Sequence, residues 1–317
     1  GSVRSDVEIL PYIHSIDKNV THGSLHMPTY GGGTARSEYE VLTGNSITFL
    51  PSGCVPYELY VRTPEYGMAD ILKSQGYYTI AMHPNNGHNW NRDQVYPQMG
   101  FDEFLNQDNW GGEYQDKLRG FVSDQSVFDK IISLYKEKET NQKLFTFCVT
   151  MQNHGGYDTF DMPEDTLVPH AAAGIDEATS AQLTEYLALI EESDRELEAF
   201  IEQLRMLDRP VVLVFFGDHQ PSMSPTLNDV LEYATGAEGV AHVEQQYQTP
   251  YLIWANYDVA GSDQVSERRD MGIYTLSSLM KYAIGAADRP SMRDARRDAT
   301  GAHLERLWLS NCRWNVA

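Results

Sequence analysis

Four short runs of the sequence set ligand-capable or nucleophilic side chains among turn formers: Gly31-Gly32-Gly33-Thr34, His83-Pro84-Asn85, Asn153-His154-Gly155-Gly156 and Gly217-Asp218-His219-Gln220-Pro221. In the first, three glycines free the backbone for conformations closed to other residues and let a ligand approach closely. Thr34 follows them at the head of a helix-compatible run containing Ser37, Glu38 and Glu40. A hydroxyl at such a helix start lies among unpaired N–H groups at the positive end of the dipole, a position suited to a phosphate and to an alkoxide nucleophile. An ordinary glycine turn with Thr34 as N-cap has the same local sequence. The other three runs decide between them.

Asp218-His219 supplies a carboxylate oxygen and an imidazole nitrogen. That mixed pair suits Mn²⁺ or Zn²⁺ better than Ca²⁺, for which carboxylates and carbonyls would dominate. With the Thr34 oxygen added, an ion has three ligands, and it would lower the pKa of the hydroxyl and neutralise a phosphoryl group. Downstream of His83, Arg92 offers a bidentate fork for phosphate and Trp90 a flat apolar wall beside it. His154 is a candidate for holding the phosphate or protonating a leaving oxygen, two roles that the sequence does not separate.

Positioning these groups falls to apolar strands alternating with amphipathic helices. Tyr77–Met82, Leu144–Thr150, Pro210–Phe216 and Tyr251–Ala255 read as buried strands. Helices are expected near Pro11–Ile16, at Tyr66–Gln75, Ser123–Glu137, Ser180–Met206 and Met271–Ile284, with residues 157–180 a long excursion between them. The longest helix carries an apolar stripe of Leu183, Leu187, Ile190, Leu197, Ile201 and Leu204 opposite acidic residues. Such alternation predicts a mainly parallel sheet covered by helices on both faces, an α/β fold. In an open parallel sheet, ligands bind beyond the carboxyl ends of the strands. His83, His154 and Asp218-His219 each follow such an end.

With 317 residues the chain is long enough for a large core, and 41% hydrophobic content describes a globular protein. A formal charge of −21 argues against nucleic acid or an anionic membrane as the main partner. It leaves room for an anionic substrate, because a metal reverses the local sign. No apolar run reaches membrane-spanning length, and the three cysteines are too few and scattered for a disulfide framework or a thiolate zinc site. Cys148, in an apolar strand, is expected in the core. Gly1-Ser2 resembles a cloning remnant, which implies an earlier natural start.

Four motifs occur in order: Gly-Gly-Gly-Thr-Ala-Arg-Ser-Glu-Tyr-Glu-Val-Leu-Thr-Gly, Ala-Met-His-Pro with Trp-Asn-Arg-Asp behind it, Asn-His-Gly-Gly-Tyr, and Gly-Asp-His-Gln-Pro. Together they resemble the extracellular domain of lipoteichoic acid synthase and related phosphoglycerol transferases, in the alkaline phosphatase and sulfatase superfamily, over roughly residues 9–285. The resemblance implies an alkaline phosphatase-like fold and Thr34 as nucleophile. It implies Mn²⁺, with Zn²⁺ or Mg²⁺ as alternatives, on Thr34, Asp218 and His219. It also implies a phosphoglycerol pocket built from His83, Asn85, Trp90, Arg92 and His154. The family's donor is phosphatidylglycerol, and its members sit on the extracellular face of the bacterial membrane, anchored by helices ahead of this domain.

Two departures stand out. The family opens with an apolar strand ending in a glutamate, its fourth metal ligand, whereas this sequence starts after that point. Glu8 lies too close to the matching segment to take its place. Beyond Arg289 the sequence also changes character, with six arginines (289, 293, 296, 297, 306 and 313) in an acidic chain. The expected division is therefore a transferase domain over 1–288 and a loosely attached tail over 289–317. Competing readings are a hydrolase of the same superfamily, or a domain that only binds glycerophosphate or a cell-wall polymer. A sulfatase requires C/S-x-P-x-R; Cys54-Val-Pro-Tyr-Glu58 begins that run and puts glutamate where the arginine belongs.

Overall fold

A computed structural model describes residues 8–139, 141–157, 176–222, 240–257, 267–285 and 305–311. In chain order the elements are α1 (Pro11–Ser15), β1 (Val20–His26), α2 (Thr34–Thr43), α3 (Pro56–Leu59), α4 (Met68–Ser74) and β2 (Tyr77–His83). After them come α5 (Arg92–Gln98), β3 (Glu103–Asn106), a small hairpin of β4 (Lys117–Leu118) and β5 (Phe121–Val122), α6 (Asp124–Glu137) and β6 (Lys143–Val149). The second half holds α7 (Glu177–Arg205), β7 (Val211–Gly217), α8 (Val240–Gln246), β8 (Gln248–Ala255), β9 (Glu267–Arg268), β10 (Met271–Gly272), α9 (Ile273–Gly285) and β11 (Glu305–Asn311).

Strand residues alternate between two cores. In β7, Val211, Leu213 and Phe215 join one apolar cluster, while Val212, Val214 and Phe216 join the other. In β6, Leu144 and Cys148 face the first, and Phe145, Phe147 and Val149 the second. This is the period-two signature of a strand buried on both faces. The first cluster draws on α6 and α7, with Phe128 and Phe200 stacked at 4.5 Å. The second draws on α2, α4, α5 and α9.

The resulting sheet is nine-stranded, ordered β10-β1-β8-β7-β11-β6-β2-β3, with β9 also on β1. From β7 to β3 all pairings are parallel, whereas β8 runs antiparallel to both β7 and β1. The mainly parallel sheet with helices on both faces is therefore present, and β2, β6 and β7 end on one edge.

β1, β3 and β11 were not apparent from sequence, nor were the two-residue strands β4, β5, β9 and β10. β1 reads as irregular because Gly23 and two histidines interrupt its apolar pattern, yet it pairs with β8 over its whole length. Gly23 is required there: a Cβ would stand 2.1 Å from the Arg269 carbonyl oxygen. β3 is a short strand at the edge of the sheet. β11 comes from the stretch expected to be a loose tail, and its backbone lies between β6 and β7. The surrounding arginines obscure its Leu307-Trp308-Leu309 run in the sequence. Most of the excursion expected at 157–180, most of the arginine-rich stretch, and Cys312 lie outside the described residues.

Candidate active site

Gly31, Gly32 and Gly33 have φ of 71°, 148° and 85°. A Cβ on Gly31 would meet Ser222 Cβ at 2.8 Å, and one on Gly33 would meet Thr29 Oγ1 at 2.8 Å. Both the backbone conformation and the close approach therefore call for glycine. Gly33 is the residue that caps α2, and Thr34 is the first residue of the helix, 9% exposed. The Thr29 hydroxyl donates to the Gly32 carbonyl at 2.5 Å and braces the loop from inside.

Two bonds dock this loop against the end of β7. Gly31 N–H donates to Gln220 O at 2.9 Å, and the Ser37 hydroxyl donates to Asp218 O at 2.6 Å. Asp218 and His219 are both buried. His219 Nδ1 contacts the Gln220 carbonyl at 2.9 Å. A carbonyl only accepts, so Nδ1 carries a proton there, and Nε2 lies 3.5 Å from Asp218 Oδ2. A ring held this way through its other nitrogen is the usual setting of a metal-bound histidine. The donor chemistry thus fits a divalent ion of intermediate softness, with Thr34 at the adjoining helix start. Among the described residues, no group of three or more His, Cys, Asp or Glu is placed to hold a metal.

His83, the last residue of β2, is 2% exposed, and its Nδ1–H donates to Val149 O at 2.9 Å. Burial, and next the Arg92 charge, push its imidazole well below the usual range. It is a neutral ring offering an Nε2 acceptor.

Arg92 differs from the expectation of a free phosphate fork. It is 2% exposed, and its guanidinium is engaged by Glu38: Nε lies 3.1 and 3.3 Å from the two carboxylate oxygens and Nη2 lies 2.5 Å from Oε1. Nη1 points to Asn89 O at 3.3 Å. The Tyr96 hydroxyl donates to the other Glu38 oxygen at 2.7 Å. Glu38 sits one helical turn from Thr34, so this pair locks α2 to the segment carrying Trp90. Sequence reading passed over Glu38 as a partner; its signal was an acidic residue at i+4 from Thr34 on an otherwise apolar helix face. Trp90 and Asn91 both take the left-handed conformation, with φ of 59° and 56°. Asn85, half-buried, follows His83 and accepts from Asn86 N–H through its side-chain oxygen at 2.7 Å.

His154 is exposed, and its ring lies 5.5 Å from that of Phe121. The loop beneath it is held at many points. Arg119 donates to the carbonyls of His154 and Gly156 and pairs with Glu185 of α7. The Tyr157 hydroxyl donates to Asn153 O at 3.1 Å. Asn153 and Gln152 both donate to Ser193 Oγ, which donates to Asp124 Oδ2 at 2.7 Å, and Gln152 donates to Glu196 at 2.7 Å. Burial, and then the Asp124 carboxylate, raise the Glu196 pKa to about 9. α7 therefore carries a buried polar face, Glu185, Ser193 and Glu196, that positions the His154 loop. The amphipathic pattern had assigned its acidic residues to solvent.

The structure brings these groups into one row. Asp218 adjoins α2 through Ser37, α2 joins Arg92 through Glu38, the Arg92 charge acts on His83, His83 bonds Val149 at the end of β6, and His154 in the loop that follows abuts Phe121.

The sulfatase family model matches residues 4–286. The chain belongs to the sulfatase family. A putative cyclic β-1,2-glucan modification protein of Rhizobium meliloti is 34% identical over 239 residues, 74% of this chain and 36% of that protein. A lipoteichoic acid synthase of Staphylococcus saprophyticus is 26% identical, covering 73% of this chain and 35% of its own length. The chain thus spans little more than a third of these relatives. Among solved structures, the Streptococcus pyogenes phosphoglycerol transferase GacH, determined with sn-glycerol-1-phosphate, superposes with a TM-score of 0.67 at 26% identity, over 93% of this chain and 78% of that one. The resemblance to lipoteichoic acid synthases and the alkaline phosphatase-like fold are thereby borne out. No helix of the described residues is long and apolar enough to cross a membrane.

Proposed function

We propose that this sulfatase-family domain transfers phosphoglycerol from a phosphatidylglycerol-type donor to a hydroxyl of a cell-envelope polymer or glycolipid. The observation that carries the reading is Thr34 at the start of α2, docked onto the Asp218-His219 turn and tied through Glu38 and Arg92 to His83. Relatives named as a lipoteichoic acid synthase and a glucan modification protein, and a neighbour solved with glycerol phosphate, support it.

In this mechanism the Thr34 oxygen attacks the donor phosphorus. Its P–O bond forms as the bond to the lipid alcohol breaks, and the proton that the Thr34 hydroxyl gives up is balanced by the one the departing oxygen takes. An acceptor hydroxyl then attacks the same phosphorus, the bond to Thr34 breaks, and the threonine hydroxyl is restored. Free N–H groups at the α2 start stabilise charge on the phosphoryl oxygens. His83, neutral, accepts a hydrogen bond from the glycerol at Nε2, beside Trp90 and Asn85. Arg92 acts through its charge and by fixing Trp90. His154, solvent-facing, delivers or receives the proton of the lipid or acceptor oxygen. Asp218, His219 and Thr34 would hold a Mn²⁺ or Zn²⁺ ion, which supplies Lewis-acid polarisation of the phosphoryl group and a lower pKa for the threonine hydroxyl. Membrane attachment and an extracellular site belong to the same proposal.

The test uses Thr34→Ala and wild type with a fluorescent phosphatidylglycerol. Wild type should release diacylglycerol and show glycerophosphoryl-Thr34 by peptide mass spectrometry, while the variant does neither at unchanged melting temperature. Turnover by the variant above a few per cent of wild type would remove Thr34 as the nucleophile.

A further inference from the structure

A cavity of about 190 Å³ opens beyond the carboxyl end of β2, at the end of the row described above. Pro84 and Asn85 form one wall, Gln107 another, and Gln115, Lys117 and Phe121 of the β4–β5 region close it. Its position follows from covalent and packed neighbours. Pro84 directly follows His83, and Phe121 is the residue whose ring lies 5.5 Å from His154. The cavity therefore adjoins the row at the end away from the Asp218-His219 turn.

The walls are tied together and to the His154 loop. Gln107 N–H donates to Asn85 O at 3.0 Å. Trp110, buried behind the cavity, donates from its indole to Tyr114 O at 3.0 Å and fixes the approach to the hairpin. Arg119, in the hairpin turn with φ of 54°, holds the carbonyls of His154 and Gly156. Cavity wall and His154 thus share one anchor.

The lining is chemically selective. In a chain of 45 acidic residues, no carboxylate lines this cavity. It offers instead three side-chain amides, each both donor and acceptor, one lysine ammonium, and the face of a half-buried phenylalanine. Neither the Gln107 amide nor the Lys117 ammonium is engaged in an intramolecular hydrogen bond among the described residues. Neutral amides beside an aromatic face suit hydroxyl groups and the C–H face of a sugar, and offer little to a cation. The volume lies below the roughly 300–1,000 Å³ of pockets that enclose drug-sized ligands, room for one sugar ring but none for an acyl chain.

We infer that this cavity is the acceptor subsite, seating one sugar residue of a neutral, hydroxyl-rich glycan so that a hydroxyl reaches the phosphorus past His154. The inference rests on the transfer reading above.

The double variant Gln107→Ala/Lys117→Ala, both exposed residues, separates the possibilities, with Phe121→Ala as a second variant. Saturation-transfer NMR on the intact chain is run with a β-1,2-linked glucan oligosaccharide and, separately, with glycerol 1-phosphate. Steady-state kinetics then measure phosphatidylglycerol turnover with and without the glucan. The inference expects glucan affinity, and the acceptor KM where turnover is present, to weaken about tenfold in the double variant, as lost hydrogen bonds of ~1.4 kcal/mol would give. In the double variant, glycerol phosphate binding and acceptor-free donor hydrolysis stay at wild-type level. Unchanged glucan binding in both variants would overturn the inference, and so would a parallel loss of glycerol phosphate binding, which would assign the cavity to the donor. A wild-type chain that binds glucan at this cavity yet never turns over donor would sink the transfer reading and leave the glycan subsite standing.

Discussion

Glu38 and Arg92 form a two-pronged ion pair, with Nη2 2.5 Å and Nε 3.1 Å from the same carboxylate oxygen, and both side chains are almost wholly removed from water. Desolvating two charges is costly, and the pair is worth keeping only while both partners are present. Glu38→Ala should therefore lower the unfolding free energy by about 3–5 kcal/mol, the cost of an uncompensated buried charge. Urea denaturation measures it. A loss under about 1 kcal/mol would mean that water reaches the guanidinium and that the pair is not what holds α2 to the Trp90 segment.

Glu196 gives a pH signature. Its folded pKa is raised to about 9, by burial first and by Asp124 second, against about 4.5 for an exposed glutamate. The native state thus retains a proton that the unfolded chain releases, so stability from this group is full below about pH 4.5 and is lost as pH rises toward 9. Other charged groups near it are Glu192, paired with Arg195, and Asp124 on α6. Glu196→Gln keeps a neutral side chain of the same shape. Its melting temperature should exceed that of wild type at pH 8.5 and match it near pH 5. Identical pH profiles for the two proteins would show that Glu196 is charged in the folded state.

Gly33→Ala addresses the glycine loop ahead of Thr34. With φ of 85° and a Cβ that would lie 2.8 Å from Thr29 Oγ1, alanine is both strained and crowded. A cost of roughly 1–3 kcal/mol in stability is expected, with turnover falling further than stability because Thr34 is the next residue. An alanine variant with wild-type turnover would show that the loop tolerates a shift and that its glycines serve only the chain path.

His219→Ala tests the ion without relying on activity. Mn²⁺ at 100 times its Kd should stabilise the wild-type chain by about 2.7 kcal/mol, read as a rise in melting temperature, and the variant should show no rise. An equal rise in both proteins would place the ion elsewhere.

The edge on which the chemistry gathers was legible because each of its parts is local: an apolar run, a turn, a reactive side chain. Parallel topology then brought His83, His154 and Asp218 together without further information. Glu38–Arg92 was hidden because ion pairing between residues 54 positions apart leaves no periodic trace. Glu185, Ser193 and Glu196 were hidden for the opposite reason: on a helix wheel they look like a solvated face, and only the loop packed over them shows that they are inside. β1 and β11 failed as strand predictions because glycine, histidine and arginine dilute their patterns. In both cases pairing along a neighbouring strand overrides weak local preference.

Trp90 and Asn91 hold consecutive left-handed conformations, which asparagine tolerates better than most residues but a bulky tryptophan does not adopt freely. The folded protein thus carries a small conformational debit at the wall of the proposed donor pocket, sustained by the Glu38–Arg92 pair beneath. Preorganisation of this kind spares the ligand the entropy of ordering the wall. It also sets stability against binding. Asn91→Gly, which removes the steric objection to φ of 56°, should leave the protein as stable as wild type or more so while loosening the indole and weakening glycerol phosphate affinity. Selection for a thermally hardier version of this domain would meet that opposition first at position 91, where the most comfortable backbone is not the one that binds best.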